Sequence, residues 1–62
     1  MKVKTNYVPD ECYYFTKGKT YEVKCTNLPD LYYVVCDDGE GCNISLGSTG
    51  CAHIDFHCWE VL

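Results

Sequence analysis

Sixty-two residues carry nine Asp or Glu against five Lys and no Arg, a formal net charge of −4. A chain this short makes one domain whose core supplies no more than about 3–5 kcal/mol, leaving little stability for a deep, strained reaction chamber. The only cations, Lys2, Lys4, Lys17, Lys19 and Lys24, all fall in the first 24 positions, so the clustered charge that drives nucleic-acid binding by counterion release is missing.

The first segment with strand character is Lys2–Val8, where Val3, Thr5 and Tyr7 alternate with Lys2, Lys4 and Asn6. Pro9 ends it, since proline cannot donate to a ladder. Residues 10–16 read as a loop that holds Tyr13, Tyr14 and Phe15, and Lys17-Gly18-Lys19 reads as a turn. Thr20–Thr26 shows the cleanest alternation, with Tyr21, Val23 and Cys25 on one face and Thr20, Glu22 and Lys24 on the other. After the turn Asn27–Asp30, Leu31–Cys36 is apolar on both faces, the pattern of a central strand.

Asp37–Gly41 contains Asp-Gly, a favoured hairpin pair. Cys42–Leu46 resumes the alternation, with Cys42, Ile44 and Leu46 inward. Gly47–Gly50 breaks the chain, with room for a short 3₁₀ turn before the last strand. His53–Leu62 alternates through Ile54, Phe56 and Cys58 until Trp59 shifts the phase, which calls for a bulge or a short helix. Five short strands with no amphipathic helix predict an all-β fold, a small barrel spanning residues 1–62 as one domain. Tyr21, Tyr33, Phe56 and Trp59 are the aromatic core candidates, and Cys25, Cys42 and Cys58 are in phase with the inward positions.

No run reaches the ~18 apolar residues of a membrane span, and the first residues lack the apolar stretch of a signal peptide. The chain therefore reads as cytoplasmic. Six cysteines in 62 residues reach the density of a disulfide scaffold, but thiols in a reducing compartment stay free and pack as small hydrophobes.

The segment Lys17-Gly18-Lys19-Thr20-Tyr21-Glu22-Val23 resembles the entry of small SH3-like proteins of phages and prophages. Tyr33-Val34-Val35-Cys36-Asp37-Asp38-Gly39 and the closing Phe56-His57-Cys58-Trp59-Glu60-Val61 are similar to the same group. The likeness runs from Phe15 to the C-terminus. It implies a five-stranded SH3-like barrel and an accessory protein that binds and inhibits a host protein or defence complex in the host cytoplasm, in the manner of anti-CRISPR or anti-restriction factors. The aromatic opening segment, acidic specificity loop and Pro-x-x-Tyr motif of SH3 peptide binders are not intact, so proline-rich ligands are not carried over.

Cys51, His53, His57 and Cys58 are the residues most suggestive of zinc, with Cys42 upstream. Their spacing is poor: no two cysteines stand two to four residues apart, and on a strand His53 and His57 would lie ~13 Å apart at ~3.3 Å per residue. On a helix they would share a face. A Cys–His nucleophile oriented by Asp55 has no more specific support than that. No cofactor is expected.

The residues expected to meet a partner are the aromatic group Tyr13, Tyr14, Phe15 and Tyr32, beside the acidic Asp37, Asp38 and Glu40, with Asp10 and Asp30 expected nearby. Exposed aromatic rings beside charge are typical of binding hot spots, and carboxylates complement a basic surface. The sequence therefore reads as a non-enzymatic protein-binding module, with no membrane, direct nucleic-acid or small-molecule partner. The alternatives are a zinc- or disulfide-stapled miniprotein without inhibitory role and a weak nucleic-acid-binding barrel.

Overall fold

The computed structural model describes all 62 residues. Five strands form: β1 Lys2–Lys4, β2 Tyr21–Cys25, β3 Leu31–Val35, β4 Gly41–Ser45 and β5 Glu60–Val61, with one 3₁₀ turn at Ala52–Ile54. They make a single antiparallel sheet in the order β4-β3-β2-β1-β5. β2 changes partners along its length: Tyr21 and Glu22 pair with β1, while Val23, Lys24 and Cys25 pair with β3. One five-residue strand thereby joins two ladders. β4 and β5 end the sheet order, and the segment between them, with the 3₁₀ turn packed on β4, runs from one edge to the other.

Period-two alternation sets the core. Val3, Tyr21, Val23, Val34 and Ile44 face inward from four strands, and Ile54 enters from the 3₁₀ turn. Each such side chain taken fully out of water contributes about 1.5–3 kcal/mol. Trp59 joins them as expected, with Phe15 and Tyr21 meeting it edge-on at ring separations of 5.0 and 6.0 Å. The Trp59 indole N–H is buried among these rings with no hydrogen-bond partner.

Several expectations need correction. β1 stops at Lys4 rather than Val8, because the Thr5 hydroxyl donates to the Tyr7 carbonyl (3.0 Å) and accepts from its N–H (3.2 Å), turning the chain. β3 is interior in the sheet order, yet only one of its faces is covered. Tyr33, expected in the core, is 42% exposed, and Val35 shares its face. Cys25 is exposed at the end of β2, where half-buried Tyr32 across the ladder takes the inward place.

The largest departure is the last segment. A strand over His53–Leu62 does not form, and only Glu60 and Val61 pair. Ile54 sits in the 3₁₀ turn, then Asp55 (φ 56) and Phe56 (φ 63) reverse the chain through left-handed backbone. The Phe56 ring, expected in the core, is 67% exposed, and Cys58 is exposed as well. The expected 3₁₀ turn before the last strand does form, but at Ala52–Ile54; residues 47–50 make an ordinary turn. Gly50 is required there: its φ is +86, and a β-carbon would run into the backbone carbonyl of Phe56. The buried thiols are Cys12, Cys36 and Cys51, with Cys42 half-buried, and all six cysteines are free.

Candidate functional site

The β1–β2 loop is folded around two buried anchors, Cys12 and Phe15. Phe15 is 4% exposed, so its ring is core and does not reach a partner. The anchors leave Tyr13 78% exposed, the most exposed large hydrophobic residue, and Tyr14 half-buried between the loop and the 3₁₀ turn. Tyr14 Oη lies 2.9 Å from His53 Nδ1, and His53 Nε2 lies 3.0 Å from the carbonyl oxygen of Asn43. A carbonyl only accepts, so Nε2 carries the proton, and in that tautomer Nδ1 accepts from the Tyr14 hydroxyl. Burial, and after it the neighbouring Cys12 thiol, pushes the Tyr14 hydroxyl up to about 12 and keeps it a donor. This relay ties the loop, the 3₁₀ turn and β4 together across 39 positions of sequence.

Asp37 makes the second tie. Its backbone N–H donates to the Tyr14 carbonyl (2.9 Å). Its carboxylate accepts from Thr16 Oγ1 (2.5 Å), Lys19 Nζ (2.7 Å) and Tyr21 Oη (2.9 Å). The residue is exposed through its backbone, but the side chain is only 22% exposed. The Lys19 ammonium first, and the Thr16 hydroxyl next, hold this carboxyl below the usual carboxylate range. Asp37 therefore spends its charge inside the protein. The other carboxylates of the β3–β4 hairpin are Asp38, which accepts the Glu40 backbone N–H (3.0 Å), and Glu40, both exposed at its tip.

Of the other expected partner residues, Tyr32 is half-buried against the core, opposite Ile44. Asp30 stands at the far end of β3 from Asp37, against Gly47, and does not join the acidic hairpin. Tyr13 and Tyr14 are brought beside the hairpin by the Asp37–Tyr14 bond.

The zinc candidates do not converge. Both nitrogens of His53 are engaged. His57 stacks on Tyr7 with ring centroids 4.0 Å apart and planes 19° from parallel. Cys51 is buried, and the thiol of exposed Cys58 faces the Ser48 carbonyl at 4.0 Å. The 3₁₀ turn ends at Ile54, so the two histidines never share a helix face. No three His, Cys, Asp or Glu side chains are grouped to hold a metal ion.

Sequence reasoning missed the residues on the other side of the 3₁₀ turn. Phe56 is presented to solvent beside the Tyr7–His57 stack. The phase shift at Trp59 was the available signal, since it shows that the alternation through Phe56 cannot be continuous. A shallow groove of about 320 Å³ lies elsewhere, on β2 and β3 between Lys19, Lys24, Tyr33 and Val35. No helix is long and apolar enough to cross a membrane. No protein-family model, curated protein or solved structure matches the chain.

Proposed function

We propose that this protein is a non-enzymatic docking module that engages a partner protein with a basic surface. It does so through the exposed rings of Phe56 and Tyr13 and the carboxylates of Asp38 and Glu40. The observation that carries this reading is the backbone under Phe56. Two successive non-glycine residues, Asp55 and Phe56, hold left-handed conformations, at roughly 1–2 kcal/mol each. A domain with so small a core retains that strain while turning a large apolar ring into water. Strain held at a presented side chain is a mark of function, and exposed aromatic rings dominate binding energy when a partner covers them.

Charge supports the choice of partner. Asp10 and Glu11 on the β1–β2 loop, Asp38 and Glu40 on the hairpin, and Asp55 beside Phe56 are exposed. The lysines are confined to β1, β2 and the turn before β2. A cationic surface would be drawn to these exposed carboxylates. The resemblance to phage and prophage SH3-like proteins supplies the sharper form of the proposal: an accessory factor that blocks a functional surface of a host protein or defence complex.

The test is quantitative affinity capture from bacterial lysate with the wild type, a Phe56→Ala/Tyr13→Ala/Asp38→Lys variant and a Lys17→Ala control. A partner retained by wild type and control but lost from the triple variant is the expected result. Equal recovery by all three, or no retained protein at all, would reject the proposal.

A further inference from the structure

Two thiols meet across the β3–β4 hairpin. Val34 pairs with Cys42 and Val35 with Gly41, and the Cys36 N–H continues the ladder to the Glu40 carbonyl at 2.8 Å. Cys36 and Cys42 therefore stand on the same, inward face of the hairpin, diagonal to each other. Their Sγ atoms are 2.9 Å apart, within an ångström of the ~2.05 Å of a disulfide bond. No other two of the six sulfurs make such a contact. Cys36 is buried and Cys42 half-buried, so one member of the pair is open to a reagent.

We propose that Cys36 and Cys42 are an oxidisable dithiol, and that a low-molecular-weight disulfide such as oxidised glutathione converts them into a bridge across the base of the acidic hairpin. The step is a double exchange. The Cys42 thiolate attacks one sulfur of the reagent, forming a mixed disulfide and releasing one thiolate. The Cys36 thiolate then attacks Cys42 Sγ, forming the Cys36–Cys42 bond and expelling the second. The protein loses two protons and two electrons, and the reagent leaves as two thiols. Burial, with the hydrogen bond that Cys42 donates to Cys36 after it, pushes the Cys42 thiol up to about 12, so the thiolate is scarce at neutral pH and the exchange quickens as pH rises. The bridge fixes the residues that carry Asp38 and Glu40, and the inference stands whether or not those carboxylates dock a partner.

The experiment uses the full chain, reduced and then incubated with oxidised glutathione at mildly alkaline pH. Cys25 and Cys58 are exposed and make no sulfur–sulfur contact, so they are expected to carry stable glutathione adducts. Cys36 and Cys42 are expected to lose two hydrogens as a linked peptide pair in the digest. A Cys25→Ser/Cys58→Ser variant is expected to lose the same two hydrogens with no adduct and to melt roughly 5–10 °C higher after oxidation. Adding Cys42→Ser to that background should abolish the loss. A stable adduct on Cys42, or free thiols at both positions once Cys25 and Cys58 have reacted fully, would overturn the assignment. Circular dichroism of each reduced variant verifies that the comparison is made on folded protein.

Discussion

Replacing Asp37 by alanine tests the clamp between the β1–β2 loop and the β3–β4 hairpin. The substitution removes the acceptor for Thr16 Oγ1, Lys19 Nζ and Tyr21 Oη together. The Lys19 contact opens to solvent, where salt screens it, and it adds little. The Tyr21 hydroxyl is the costly loss, since it is part-buried and its proton is left without a partner. With the Thr16 bond, the change amounts to about 2 kcal/mol. A domain of this size moves its midpoint by about 4–8 °C per kcal/mol, so a fall of roughly 10 °C is expected, followed by the fluorescence of the single Trp59.

The same residue sets an acid limb. Its folded-state carboxyl is held below the unfolded value, so its contribution is fully present above the ordinary carboxylate range. That contribution is lost as pH falls through the depressed folded value. Asp37→Asn keeps the shape but removes this titration, and its stability should fall less steeply over that acid window. A midpoint for Asp37→Ala within about 2 °C of wild type, or an unaltered acid limb for Asp37→Asn, would refute the clamp.

Gly50→Ala meets the Phe56 carbonyl and needs a positive φ, so it should cost more than about 2 kcal/mol and visibly erode the native baseline in urea. Ile44→Ala, at a fully buried position, should cost about 2–5 kcal/mol, enough to leave much of the chain unfolded at room temperature. Phe56→Gly relieves the left-handed backbone and should leave thermal stability unchanged or raise it by up to about 1 kcal/mol. Once a partner is identified, the same change should weaken its binding about 30-fold or more by titration calorimetry; undiminished affinity would remove Phe56 from the interface.

Alternation alone located β2, β3 and β4 to within a residue or two, because a side-chain period of two with one buried face leaves little freedom of register. Tyr21, Val23, Val34 and Ile44 are inward for that reason, and Asp38-Gly39 turns the chain where a hairpin pair should. Loop burial was not legible in this way. Cys12 and Phe15 are buried while Tyr13 between them is bare, and nothing periodic distinguishes them. Their places depend on Tyr21, Trp59 and the 3₁₀ turn arriving from elsewhere in the chain. The Asp37 carboxylate looked like free surface charge until Thr16 and Lys19 were brought to it from about twenty positions away. Residues 53–58 alternate as a strand would, yet a strand needs a neighbour to satisfy its backbone. The structure offers this segment only the single bridge Cys51–His57, so it turns instead. Local side-chain period thus determined the sheet, and tertiary contact decided which rings and thiols the loops hide or present.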